Sequence, residues 1–229
     1  MKALFATSTA TDGPMDSTSS LTEVGKVNRA KFVKDNFGEG VLVPVMLQQT
    51  HSPSIHVAIA GDAGSVMQQC DGLYTETPNL PIMITHQDCV PVTITDTAQS
   101  FVCVLHAGWK GTLAAILPRA IDLCKSRGKK VEDLHINFGP GIQPCHFIVK
   151  EDVAGKFRAL SRSSVVELAA GVLTVNLYSA LHGQAKAAGV HPANIKYSAE
   201  CTFHDPGYFS WRRDHKAETN MVTVGMLMP

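Results

Sequence analysis

The chain has 229 residues, 45% of them hydrophobic, enough for a substantial core in one large domain or two small ones. Lys and Arg together number 20, as do Asp and Glu, so no net field favours a polyanion, and neither nucleic acid nor an acidic membrane surface is an expected partner. Cys70, Cys89, Cys103, Cys124, Cys145 and Cys201 form no CxxC pair and read as free thiols of a cytoplasmic protein. No segment approaches the roughly 20 apolar residues of a membrane helix.

The first stretch, to about Asn28, is rich in Ser, Thr and Gly and predicts a polar, loop-bearing edge whose apolar part is too short for a signal-peptide core. Residues 28–36 then predict a short helix closed by Gly38. Strands follow at 41–47, 55–60, 80–85, 90–95 and 101–105, each an apolar or β-branched run bounded by Gly, Pro, Asp or His. Between 112 and 127 the residues Leu113, Ile116, Leu117, Ala120, Ile121 and Cys124 recur at helical spacing; Pro118 predicts a kink and Gly128 a stop, with Lys129 and Lys130 beside it. A strand is expected at Leu134–Phe138, a helix at 150–160, a second marked helix capped by Asn176 and ended by Gly189, and a last strand at Met221–Met228. Several strands precede the first strong helix, which argues for mixed sheets with helices outside them. No repeat or linker divides the chain, so one domain over 1–229 is expected.

Three segments place a candidate metal ligand at a strand end: His51 in QQTHS, Cys89 in QDC and His106 in LHAGWKG. Two imidazoles and a thiolate suit zinc, and three protein ligands leave a fourth position for water. By spacing alone each has a plainer role: Cys89 as a small buried hydrophobe, His51 and His106 as turn residues. Asp88, next to Cys89, is a candidate for proton transfer or for a hydrogen bond to a ligand histidine. In HAGWKG the backbone amides from Ala107 to Thr112 and the Lys110 ammonium form a candidate phosphate site at a helix start; the alternative is a solvated lysine in a glycine-shaped turn. Trp109 reads equally as a base-stacking residue or a packed lid. Of Arg212 and Arg213, before the last strand, an extended backbone would turn only one inward; Arg213 is the candidate anion contact, with a structural pair to Asp214 as the alternative.

LQQTHS, Asp71-Gly72, QDCVPV, HAGWKG, Gly139–Ile142 as GPGI, and ECT followed by YFSWRRD occur in the order seen in YfiH-type laccase-domain proteins, which the chain resembles from about Val45 onward. The resemblance implies a four-layer α/β/β/α fold with mixed sheets and implies that His51, Cys89 and His106 are the metal ligands. Members are described as polyphenol oxidases, as purine nucleoside phosphorylases with adenosine deaminase activity, and as peptidoglycan editing factors. The sequence departs from the pattern in three places. FATSTATDGPMD replaces an N-terminal region that carries an arginine in relatives; Phe147-Ile148-Val149 stands for Tyr-Glu-Val; and Glu218-Thr219-Asn220 stands for Thr-Gly-Arg.

The expected function is therefore a zinc-dependent purine nucleoside enzyme, acting on nucleoside and phosphate by phosphorolysis of adenosine, inosine or methylthioadenosine, and deaminating adenosine. A copper polyphenol oxidase is the first alternative, and it is disfavoured because four coppers need roughly ten histidines, many in His-x-His pairs, whereas the ten His here include no such pair. A Cys89–His106 thiol hydrolase acting in peptidoglycan editing is the second.

Overall fold

A strand that is apolar at every position has to be buried on both faces, and such strands form the centre of this chain. The computed structural model describes residues 1–16 and 21–229, so part of the Ser/Thr-rich stretch, 17–20, lies outside the described residues. The strands are β1 (Lys2–Thr7), β2 (Met46–Gln48), β3 (Ile55–Val57), β4 (Val66–Gln68), β5 (Gly72–Thr75), β6 (Ile82–His86), β7 (Val90–Asp96), β8 (Val102–Ala107), β9 (Leu134–Phe138), β10 (Ile148–Val149), β11 (Val165–Glu167), β12 (Leu173–Val175), β13 (Ile195–Tyr197) and β14 (Met221–Met228). The helices are α1 (Glu23–Phe37), α2 (Trp109–Leu113), α3 (Ile116–Ser126), α4 (Glu151–Leu160), α5 (Leu177–Ala187) and α6 (Trp211–Asp214). A mixed six-stranded sheet has the order β13-β9-β7-β8-β5-β3, and an antiparallel three-stranded sheet the order β1-β14-β6. Two small sheets, β10-β12-β11 and β2-β4, complete the set among the described residues.

Alternation along the strands sorts their side chains into three cores. On β8, Cys103 and Leu105 face α3 and α5, packing with Ile116, Ile121 and Leu181, while Val102 and Val104 face Ile82, Ile84 and Leu227 of the other sheet. On the far side of that sheet Met83, Val222, Val224 and Met226 meet Phe32, Val33 and Phe37 of α1. The layers are thus helix, three-stranded sheet, six-stranded sheet, helices: the α/β/β/α order that the resemblance implies.

Several elements depart from the sequence reading. The N-terminal edge is no loop at its start: β1 pairs with β14 along its whole length, from Lys2 opposite Met228 to Thr7 opposite Thr223. A strand whose partner lies at the other end of the chain leaves no local signal. The helix predicted from Asn28 begins at Glu23, where the Thr22 hydroxyl accepts from the Gly25 amide, and it ends at Gly38 as expected. Within 41–47 only the end is strand, because Pro44 has no amide to donate.

The helix expected over 112–127 is two helices, and the break is not at Pro118. It lies at Ala115, which takes a left-handed φ of 62°. Pro118 falls in the first turn of α3, where its missing N–H has no helical partner to lose. The far end is as expected: Gly128, at φ 77°, lets its own amide and that of Lys129 turn back to the carbonyls of Lys125 and Cys124. No helix among the described residues is long and apolar enough to cross a membrane.

Candidate metal centre

The parity that places Val102 and Val104 between the two sheets carries on to His106, which closes that layer at the rim. Cys89 sits in the turn from β6 to β7, and His51 in the loop after β2. One ligand atom from each lies within 4.8 Å of those of the others, with Cys89 Sγ 3.9 Å from His51 Nε2. The two imidazoles stand edge to face, 4.8 Å between centroids. The three residues that were read at strand ends far apart in sequence are therefore brought together.

Asp71 organises the group. Its carboxylate is fully buried and accepts from His106 Nδ1 (2.9 Å), from the amides of Thr50 (3.0 Å), His51 (2.9 Å) and Ser52 (2.6 Å), and from the Ser52 hydroxyl (3.0 Å). Burial alone would raise the carboxyl, but the His106 bond and the Ser52 and Thr50 amides hold it down at about 2. An ionised Asp71 makes Nδ1 of His106 a donor, so Nε2 is the atom left to face Cys89 and a metal. The same carboxylate holds His51 at φ 59°, a left-handed conformation that costs a non-glycine residue about 1 kcal/mol. In the sequence reading Asp71 figured only as part of a shared motif. The hydrogen bond to a candidate-ligand histidine that was expected of Asp88 is made to His106 by Asp71, just before the neighbouring strand β5.

Charge inside the group runs the same way. Burial would push the Cys89 thiol up, but His106 and His51 outweigh it and bring it to about 6; burial would pull His106 down, but the Cys89 thiolate and Asp71 lift it to about 10. Each of the two groups thus favours the charged form of the other, and a thiolate is the form of cysteine that ligates a cation. Gly108 leaves the room: a Cβ there would stand 2.6 Å from Cys89 Sγ and 3.1 Å from His51 Cδ2. His86, at the end of β6, is buried and neutral, driven to about 3 by burial first and then by the charge of His106. Its Nε2 is 2.9 Å from the Thr223 hydroxyl, and its Nδ1 has no hydrogen-bond partner among the described residues.

The centre opens into a cavity of about 610 Å³ whose walls include Trp109, Phe147, Trp211 and Arg212. Trp211 and Arg212 come from α6, a short helix where an extended backbone was expected, capped by the Ser210 hydroxyl on the Arg213 amide. That change of backbone sets the two arginines apart differently from the extended reading. Arg213 faces away from the cavity and is spent on structure: its guanidinium donates to Asp214 and to the carbonyls of Thr202, Phe203 and Tyr208. Arg212 lines the cavity; its Nη1 donates to the carbonyls of Ile148 (2.9 Å) and His146 (3.2 Å), and its guanidinium lies 5.6 Å from the Phe147 ring centroid. Asp88 also lines the cavity, but Oδ1 accepts from the Thr202 hydroxyl and Oδ2 from the Arg212 amide, both at 2.7 Å.

Lys110, like Arg213, lies apart from the cavity. It is exposed, stands outside the cavity lining, and its Nζ lies 5.6 Å from the Trp109 ring centroid. The helix that was to supply a dipole, α2, has five residues, and the Thr112 amide is taken by the Gly108 carbonyl. A helix so short sums few peptide dipoles.

Residues 19–228 match the profile of the family described as multi-copper polyphenol oxidoreductase laccase. The chain is 30% identical over 198 residues to the purine nucleoside phosphorylase of Haemophilus influenzae, spanning 83% of this chain and 77% of that one. It is 27% identical over 215 residues to purine nucleoside phosphorylase YlmD of Bacillus subtilis, spanning 87% and 77%. Among solved structures it resembles the hypothetical protein YfiH of Bacillus licheniformis, with a TM-score of 0.89 and 27% identity over 98% of this chain and 92% of that one.

Proposed function

The chain belongs to the multi-copper polyphenol oxidoreductase laccase family, and from that premise we propose that it is a zinc enzyme that cleaves purine nucleosides with phosphate and deaminates adenosine at the same centre. The observation that carries the reading is the convergence of His51, Cys89 and His106 on the floor of a cavity walled by two tryptophans, a phenylalanine and a guanidinium. The relatives' names supply the substrate class. Gly108 and the bond from His106 Nδ1 to Asp71 fit this donor set to a cation, since they keep the Sγ and Nε2 atoms clear and facing one another. Bound there, zinc supplies Lewis acidity toward a phosphate oxygen or water.

The protein's own residues do the rest. Trp211, half exposed at the mouth, and Trp109 and Phe147 offer faces for a purine. Arg212, with Nε and Nη2 outside its structural bonds, takes the anion in place of Lys110 and Arg213. Asp88 positions this arginine by accepting its backbone amide, and so ties α6 to the Cys89 turn. In phosphorolysis a phosphate oxygen bonds to the ribose C1′ as the bond from C1′ to the base nitrogen breaks, and the base leaves with a proton.

A four-copper oxidase is not supported by the donors: His56, His135, His182, His191 and His215 belong to no group of three or more donors among the described residues. The six thiols are free, which suits a reducing cytoplasm.

Turnover of adenosine and inosine with phosphate, followed by base release, tests the reading. Cys89→Ala should lose about one zinc per chain and nucleoside turnover together while remaining folded. Full turnover in a zinc-free Cys89→Ala protein would overturn it. Alkylation of Cys89 at equal rates with and without chelator would favour a thiol nucleophile instead.

A further inference from the structure

Cys145, His146, Cys201 and His204 lie in two loops, 143–147 and 201–205, and bring one ligand atom each within 4.8 Å of the others. The sequence shows no such group, because the two cysteines are 56 residues apart. Their separations have a definite pattern. Cys145 Sγ stands 3.7 Å from Cys201 Sγ, 3.7 Å from His204 Nδ1 and 3.4 Å from His146 Nδ1. Around a tetrahedral zinc, with bonds of about 2.3 Å to sulfur and about 2.0–2.1 Å to nitrogen, two thiolates stand about 3.8 Å apart and a thiolate and an imidazole about 3.5 Å. The contacts from Cys145 are therefore edges of a tetrahedron of this size. The two sulfurs are not bonded to one another.

We propose that these four residues form a second metal site, a closed Cys₂His₂ centre for zinc or another thiophilic divalent cation, distinct from the centre at His51, Cys89 and His106. Four protein ligands leave no open position, so the role is structural. The surroundings show what it holds. Cys201 is buried, receives the Gln143 amide at 3.4 Å and forms an isolated parallel bridge with Gly141. The next residue, Thr202, donates to Asp88, and the carbonyls of His146 and Ile148 hold Arg212. The His146 ring stacks on Phe203 at 3.9 Å between centroids. A cation here fastens the loop that gives the cavity Phe147 to the loop that runs toward α6, the helix that carries Arg212.

The test is a metal count on the full chain, isolated without added metal under reductant, with cobalt(II) as a second probe whose thiolate charge-transfer absorption reports bound cysteine. The expected result is two metals per chain in the natural sequence, one in Cys145→Ser/His204→Ala and one in Cys89→Ala. Should the paired variant fail to fold, His204→Gln at its exposed position is expected to shift the cobalt spectrum of one of the two ions. Metal content and cobalt spectrum unchanged in these loop variants would overturn the proposal, as would a Cys145–Cys201 disulfide in the freshly isolated chain. A single metal that survives Cys89→Ala and is lost in Cys145→Ser/His204→Ala would overturn the strand-end centre and leave this one standing.

Discussion

The two Cys/His groups of this chain are built in opposite ways. At the strand ends, His106 is fixed by β8 and its imidazole by Asp71, and His51 by a loop whose amides end on the same buried carboxylate. In the loop group Cys201 is buried but Cys145 and His204 are exposed, and no carboxylate contacts either histidine among the described residues. The first group is organised by the protein before any ion arrives. The second takes its order from whatever its four donors hold. A site meant to react needs its donors held and one position open, whereas a site meant to fasten loops can leave the holding to the metal.

Removing the organiser should have the largest effect. Asp71→Ala leaves the Thr50, His51 and Ser52 amides and His106 Nδ1 without their acceptor inside the rim, a loss of about 3–5 kcal/mol in urea unfolding. Zinc affinity at this centre should fall with it. A variant of natural stability would show that the carboxylate is not what holds the two histidines.

Gly108→Ala separates geometry from stability. Its Cβ would press first on Cys89 Sγ and His51 Cδ2, so zinc affinity should drop about 10- to 100-fold while the unfolding midpoint moves little. Competition with a chromophoric chelator measures the first, and a melt the second.

Chelation should then divide the molecule. Hydrogen exchange of the amides in 143–147 and 201–205 is expected to speed up about tenfold or more when metal is withdrawn, and that of Thr50, His51 and Ser52, bonded to Asp71, to change much less. Equal acceleration in both regions would erase the contrast.

What the sequence discloses follows the same division. The strand-end candidate donors are legible because a polar residue near the end of an apolar run, as His106 is in VCVLHA, breaks the local pattern. The long apolar strands and the Asn176 cap are legible for the same reason, since their signals are local. Contacts across long separations are not. β1 finds its partner at the opposite terminus, Asp71 reaches His106 across 35 positions, and Cys145 meets Cys201 across 56. Backbone choices at single residues are also hidden: the break at Ala115 carries no Gly or Pro, and the short helix under Arg212 and Arg213 reverses which of them points into the cavity.

That reversal yields the smallest and most discriminating prediction. Arg212 and Lys110 are both cations near the centre, but only Arg212 lines the cavity, with part of its guanidinium outside its structural bonds. Arg212→Ala should raise the KM for phosphate about five- to tenfold, the size expected from losing a charge-assisted hydrogen bond, and should change deamination in phosphate-free buffer by less. Lys110 is exposed, with its Nζ beside the Trp109 ring, so Lys110→Ala should shift the phosphate KM by less than about twofold and stability by less than about 0.5 kcal/mol. The comparison within one assay removes general effects of lost positive charge, because each variant loses one unit. A rise in phosphate KM for Lys110→Ala that equals the rise for Arg212→Ala would mean that phosphate is drawn by the field of the rim and not seated by a guanidinium. A rise for Lys110→Ala alone would return the anion to the glycine turn before α2.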